Sequence, residues 1–153
     1  MALYLVALLI GIIAGLRAVT APAAVSWAAH LGWLNLSNTP LAFLGAAITP
    51  IIFTVLAIAE LATDKLPNTP SRKAPMQFGA RLVSGAFCGA AVGLAGDAWV
   101  GGLVAGLIGA AVGTLGGAEA RSRLAGAIGR DLPAALIEDI VAVGGAALVM
   151  LLL

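Results

Sequence analysis

Charge is what this chain has least of. Its 153 residues include 8 Lys and Arg and 7 Asp and Glu, or 10% charged, where soluble domains carry about a quarter. That is too little polar surface to cover a water-exposed globule. With 61% hydrophobic residues and a mean hydropathy of +1.09, the chain reads as a multi-pass membrane protein. The lone Cys88 excludes intrachain disulfides and thiolate metal sites. The lone His30 removes the commonest general base and metal ligand from any cluster. No basic patch interleaved with aromatics exists, which excludes nucleic acid as a partner. The first apolar run lacks the basic stretch of a cleaved signal, so it is expected to remain. No polar extension is long enough for a second domain, and residues 1–153 read as one integral membrane domain.

What is present is apolar sequence in blocks near 20 residues, the length that crosses hydrocarbon. Residues 41–62, 79–96, 98–116 and 132–153 form such blocks, the last with Pro133 in a favourable first-turn position. Residues 2–34 are apolar throughout, but one helix of that length would run to about 50 Å. Arg17-Ala-Val-Thr20-Ala-Pro22 supplies a break. Pro22 lacks an amide donor and disfavours helix at Ala21, and Thr20 can cap a new start. The expected fold is all-α: a polytopic transmembrane helix bundle with five crossings, its first helix broken between Arg17 and Pro22. A tight hairpin of two short helices, giving six crossings, is the alternative.

Basic residues orient the bundle. Lys65, Arg72, Lys73 and Arg81 follow the second span, and Arg121, Arg123 and Arg130 follow the fourth. The other connections hold no Lys or Arg. Loops 63–78 and 117–131 are therefore expected in the cytoplasm, with the carboxyl terminus outside and the amino terminus inside for five crossings. Trp33 and Trp99 then fall at the outer interface.

Glycine recurs every fourth residue at Gly85, Gly89 and Gly93, at Gly102 and Gly106, and at Gly109, Gly113 and Gly117. Small residues at this spacing let helices approach closely in lipid, a glycine-zipper pattern that predicts tight packing within the chain or in a homo-oligomer. Gly15-x-Arg17-x-Val19-Thr20-Ala21 echoes Gly79-x-Arg81-x-Val83-Ser84-Gly85, either a duplication or chance in a low-complexity chain.

Ionisable residues within these blocks are costly and mark sites by default. Arg17, Thr20, Glu60, Asp64, Arg81, Glu138 and Asp139 are the candidate substrate- or ion-binding residues. Glu60 and Asp64 share a helix face, Glu138 and Asp139 lie about two turns into the last span, and Arg17 sits deeper, within reach of Glu60 or Glu138. The competing reading is a structural ion-pair layer, or side chains that snorkel to an interface. The proline-rich loop after the second span could bind an anion through Lys65, Ser71, Arg72 and Lys73, or serve as a rigid positive connector. Ser71 has no general base beside it, so no catalytic residue is assigned. No diagnostic metal spacing occurs, and no metal or cofactor is expected.

Gly15-Leu-Arg-Ala-Val-Thr-Ala-Pro-Ala23, Asp64-Lys-Leu-Pro-Asn-Thr-Pro-Ser-Arg72 and Arg81-Leu-Val-Ser-Gly85 resemble an uncharacterised family of small bacterial integral membrane proteins. The resemblance implies a bacterial inner-membrane location and highlights Arg17, Thr20, Pro22, Asp64, Lys65, Pro70, Ser71 and Arg72, without a substrate. A fainter likeness of Glu60-Leu-Ala-Thr-Asp64-Lys65 to a cation-exporter motif fails on spacing and on a missing glycine. The functional expectation is a transporter or channel for a small solute or ion, set in the lipid bilayer. The alternative is a structural or partner-binding membrane protein.

Overall fold

The computed structural model describes residues 2–63 and 75–153, and those residues form six α-helices and no strand. They are α1 (Ala2–Leu16), α2 (Thr20–His30), α3 (Ile48–Thr63), α4 (Pro75–Leu94), α5 (Trp99–Ile128) and α6 (Asp131–Met150), with a 3-10 turn at Ala42–Gly45 before α3. Two of them, α5 and α6, are long and apolar enough to cross a membrane.

Helices α1, α4 and α5 form a slab whose seams are backbone. A Cβ at Gly11 would strike the main chain of Gly106, and one at Gly89 would strike Gly102 and Gly106. At Gly85 it would lie 2.7 Å from the Gly106 carbonyl oxygen, and Gly93 is pressed against Ala98 and Trp99. On the other side of α5, Gly109 and Gly113 face Leu8, Gly11 and Ile12 of α1. Between α4 and α5, Asp97 turns the chain with φ 57°, a left-handed conformation that aspartate tolerates better than most residues.

The break in the first apolar block falls at residues 17–19, in the first half of the expected Arg17–Pro22 stretch. Ala21 and Pro22 already lie in the first turn of α2, where proline's missing amide is tolerated. The two halves do not continue in one line. Leu3 and Tyr4 meet Gly96 and Gly101, so α1 begins beside the α4–α5 turn, and Gly15 reaches Ala110 and Thr114 deeper along α5. Helix α2 then runs back. Thr20, Trp27 and Ala28 of α2, with Leu31 just past its end, line one cavity with Val143, Ala147 and Met150 of α6, on which α2 packs, and Ala28 joins Val6 and Ala7 of α1 in one core. The single discontinuous span is therefore replaced by the hairpin alternative, with residues 17–19 at its tip. Arg17 meets Asp139 and Ile13 meets Gly145, so α1 and α6 run in opposite directions and the start of α1 lies toward the end of α6, the arrangement that goes with the hairpin alternative.

Three boundaries also differ from the sequence reading. Helix α4 begins at Pro75, within the expected 63–78 loop, with the proline in the first turn where its missing amide is tolerated. The polar stretch from residue 117 onward is not a loop but the last turns of α5. Its Ala, Glu, Arg and Leu residues are strong helix formers, and Glu119 pairs with Arg123 at 2.8 Å one turn on. The helix stops at Gly129, φ 83°, whose amide donates to the Ala125 carbonyl at 2.8 Å, a left-handed glycine cap. Helix α3 starts at Ile48 rather than near residue 41, with Pro50 in its first turn. The preceding 3-10 turn buries Leu44, whose carbonyl accepts a 2.7 Å bond from Ser26 of α2.

Candidate functional site at the hairpin tip

Reversing a helix inside a protein leaves carbonyls at the end of one helix and amides at the start of the next without partners. Here side chains from the other helices supply them. Arg81 of α4 donates from Nη1 to the Gly15 and Leu16 carbonyls at 2.9 and 2.7 Å. Thr114 of α5 donates to the Ala110 carbonyl at 2.7 Å and lies 3.3 Å from that of Gly15. Ser84 of α4 donates to the Ala18 carbonyl. Glu60 of α3 takes the amides, Ala18 N on Oε1 and Val19 N on Oε2, both at 2.8 Å. A carboxylate on the free amides of a helix start also complements the dipole of α2.

Arg17 lies at the tip itself and is fully buried, with 0% exposure. Its Nε donates to Asp139 Oδ1 at 2.9 Å, its Nη2 pairs with the same oxygen, and Glu138 Oε2 stands 3.9 Å away. Glu138 in turn pairs with Arg121 Nη1 at 3.5 Å. Arg121 grips Asp131 with two bonds, Nε to Oδ1 at 3.2 Å and Nη2 to Oδ2 at 2.8 Å. The result is a ladder of alternating charge. It descends from exposed Asp131 (69%) through Arg121 and Glu138 (8%) to Arg17. A cavity of about 140 Å³ between α5 and α6, lined by Leu16, Arg121 and Glu138 among others, reaches the middle of that ladder but not Arg17.

The structure thus brings Arg17, Glu60, Arg81, Glu138 and Asp139 to one region, with changed partners. Arg17 meets Asp139 first and Glu138 second, whereas Glu60 is bonded to backbone rather than to Arg17. Thr20 is not the cap of α2: Val19 holds that position without a side-chain bond, and the buried Thr20 hydroxyl has no hydrogen-bond partner among the described residues. Glu60 performs the capping from another helix. Asp64 and the loop residues Lys65, Ser71, Arg72 and Lys73 lie outside the described residues. The sequence assigns Arg121 only an orienting role in a loop; the helix-forming composition around it is the signal that places it on α5, and its pairing with Glu138 on α6 has no such signal. Among the described residues no group of three or more His, Cys, Asp or Glu side chains is placed to hold a metal.

An all-helical protein with buried ionisable groups gathered on a helix reversal is the class these features define. The chain matches the family described as a domain of unknown function (DUF4126) over residues 4–152, and it belongs to that family. No curated protein and no solved structure matches it.

Proposed function

We propose that the protein is a multi-pass bacterial inner-membrane transporter or channel for a small ion or solute, with its site at the hairpin tip. In this reading α3, α4, α5 and α6 cross the bilayer. Helices α1 and α2 reverse on each other at residues 17–19, beside Asp139 of α6, so in this reading they enter from the outer side and return without crossing. The large apolar side chains exposed on α3, α5 and α6, such as Ile51, Val55, Val112 and Ile140, suit lipid contact. The basic ends of α5 and of the α3–α4 connection then lie in the cytoplasm. Trp33 and Trp99 lie on the outer side. Non-helical backbone is tolerated at membrane depth only where protein buries it or a water-filled cavity meets it. The observation that carries the proposal is the charge ladder, which runs from an exposed carboxylate to a buried arginine at such a tip. Glycine rows seal the slab, and α3, which buries only Pro50 and Ala57, is the helix least tied to the rest.

The burial and pairing of Arg17 favour a second reading, a structural layer that only fixes helix register. Purified protein in liposomes carrying an entrapped pH dye, under an imposed potassium diffusion potential, separates the two. Flux of protons, or of sodium or chloride measured in parallel, should be lost in Glu138→Gln and Arg17→Lys while insertion and monodispersity persist. Absence of flux of all three ions in the wild type, or unchanged flux in both variants, would refute an ion-transport role.

A further inference from the structure

We infer that the gap between α2, α3 and α6 is a binding site for a long-chain lipid whose buried end is an uncharged oxygen. The inference rests on the membrane setting but not on transport. Helix α3 packs on α2 and the preceding turn rather than on α6, and it buries only Pro50 and Ala57. Polar bonds tie it to the hairpin instead. Trp27 Nε1 donates to Thr54 Oγ1 at 2.8 Å near the middle of α3, and Glu60 binds the hairpin tip toward its C-terminal end. The space left is a cavity of about 530 Å³ lined by Thr20, Trp27, Ala57, Ile58, Val143 and Ala147, among others. That volume falls within the range of roughly 300–1,000 Å³ of small-molecule sites.

The lining says what fits. Almost all of it is aliphatic or aromatic carbon, so the occupant's body is a hydrocarbon chain. Trp27, Leu31 and Trp33 lie at the end where α2 finishes, and Thr20 lies at the other, beside the hairpin tip. Thr20 is 6% exposed, and its hydroxyl has no partner among the described residues, an arrangement that buried polar groups rarely keep. Threonine in a helix has two accessible χ1 wells, and exchange of its methyl and hydroxyl offers the oxygen to the cavity. The Glu60 carboxylate, bound to Ala18 and Val19 immediately before Thr20, opposes a second negative charge there. A fatty acid anion is therefore disfavoured, and a hydroxyl or carbonyl oxygen is the end group that fits.

The test uses the full-length protein in detergent with photoreactive diazirine analogues of hexadecanol, hexadecane and palmitate. Hexadecanol should label α2, α3 or α6 at the cavity, saturably, and more strongly than palmitate at neutral pH. Thr20→Val keeps the shape and should lower hexadecanol affinity about tenfold, the worth of one hydrogen bond near the upper end of its usual range, with hexadecane labelling unchanged. Ala147→Trp fills the cavity and should abolish labelling by all three. Circular dichroism and gel filtration confirm that both variants fold. Equal hexadecanol affinity in Thr20→Val, preference for palmitate, or full labelling in folded Ala147→Trp would each overturn the inference.

Discussion

Glu60 and Val19 are joined across two helices by a 2.8 Å bond from the Val19 amide to one carboxylate oxygen, while the other oxygen takes Ala18 at the same distance. This pairing fastens the C-terminal end of α3 to the hairpin tip. Glu60→Ala should lower stability by about 1–3 kcal/mol, the cost of leaving partly buried donors unmade. Glu60→Gln retains one acceptor oxygen and should fall between wild type and alanine. Thermal unfolding in detergent, followed by circular dichroism, ranks the three; equal midpoints would contradict the capping role.

Arg17 and Asp139 should behave as a coupled pair. Arg17→Met or Asp139→Leu alone leaves a charged group buried beside a lost partner, a change that costs about 3–5 kcal/mol. The double variant should be clearly less damaged than the sum, by about 0.5–3 kcal/mol of coupling. A double-mutant cycle on unfolding free energies measures this directly, and strict additivity would mean that the two charges do not support each other.

Glycines divide into two groups by what surrounds them. Gly89→Ala and Gly106→Ala drive a methyl group into neighbouring backbone and should destabilise by about 1–3 kcal/mol or more, as overpacking does. Gly116→Ala and Gly144→Ala meet nothing within 4 Å and should stabilise by about 0.5–1 kcal/mol through helix propensity. Melting temperatures of the four variants should split cleanly into losses and gains.

Cys88 is fully buried in α4. A bulky maleimide should therefore leave the native protein unmodified over an hour and label it fully after denaturation in sodium dodecyl sulfate. Rapid native labelling, read as a gel shift, would show that the slab opens.

Much of this arrangement was legible in the residues themselves. Pro22 and the charge of Arg17 marked the break, and the spacing of Gly85, Gly89 and Gly93 marked a close approach. The direction of α2 was not legible, because a break and a reversal need the same local residues, and only contacts along α6 distinguish them. The partner of each charge was hidden for the same reason. Glu60 binds backbone 41 and 42 residues away, and main-chain amides carry no sequence signature. Arg121 was missed because a run with Glu119, Arg121 and Arg123 reads as polar loop by charge and as helix by propensity. Propensity prevailed, since those turns are largely exposed and their long side chains can reach water.

A seam of bare backbone has no rotamers to exchange. The contacts of α4 with α5, and of α5 with α1, therefore cannot slip by small side-chain adjustments; they hold or separate as wholes. Helix α3, which buries only Pro50 and Ala57, is fastened instead by a few discrete polar pins and compliant aliphatic surface, whereas most of α2 is itself buried. Residues 17–19 are where the two kinds of contact meet. Parting α3 from the hairpin would have to break the Glu60 bonds to Ala18 and Val19, so three residues of chain carry the join between a seam that cannot slip and a surface that can.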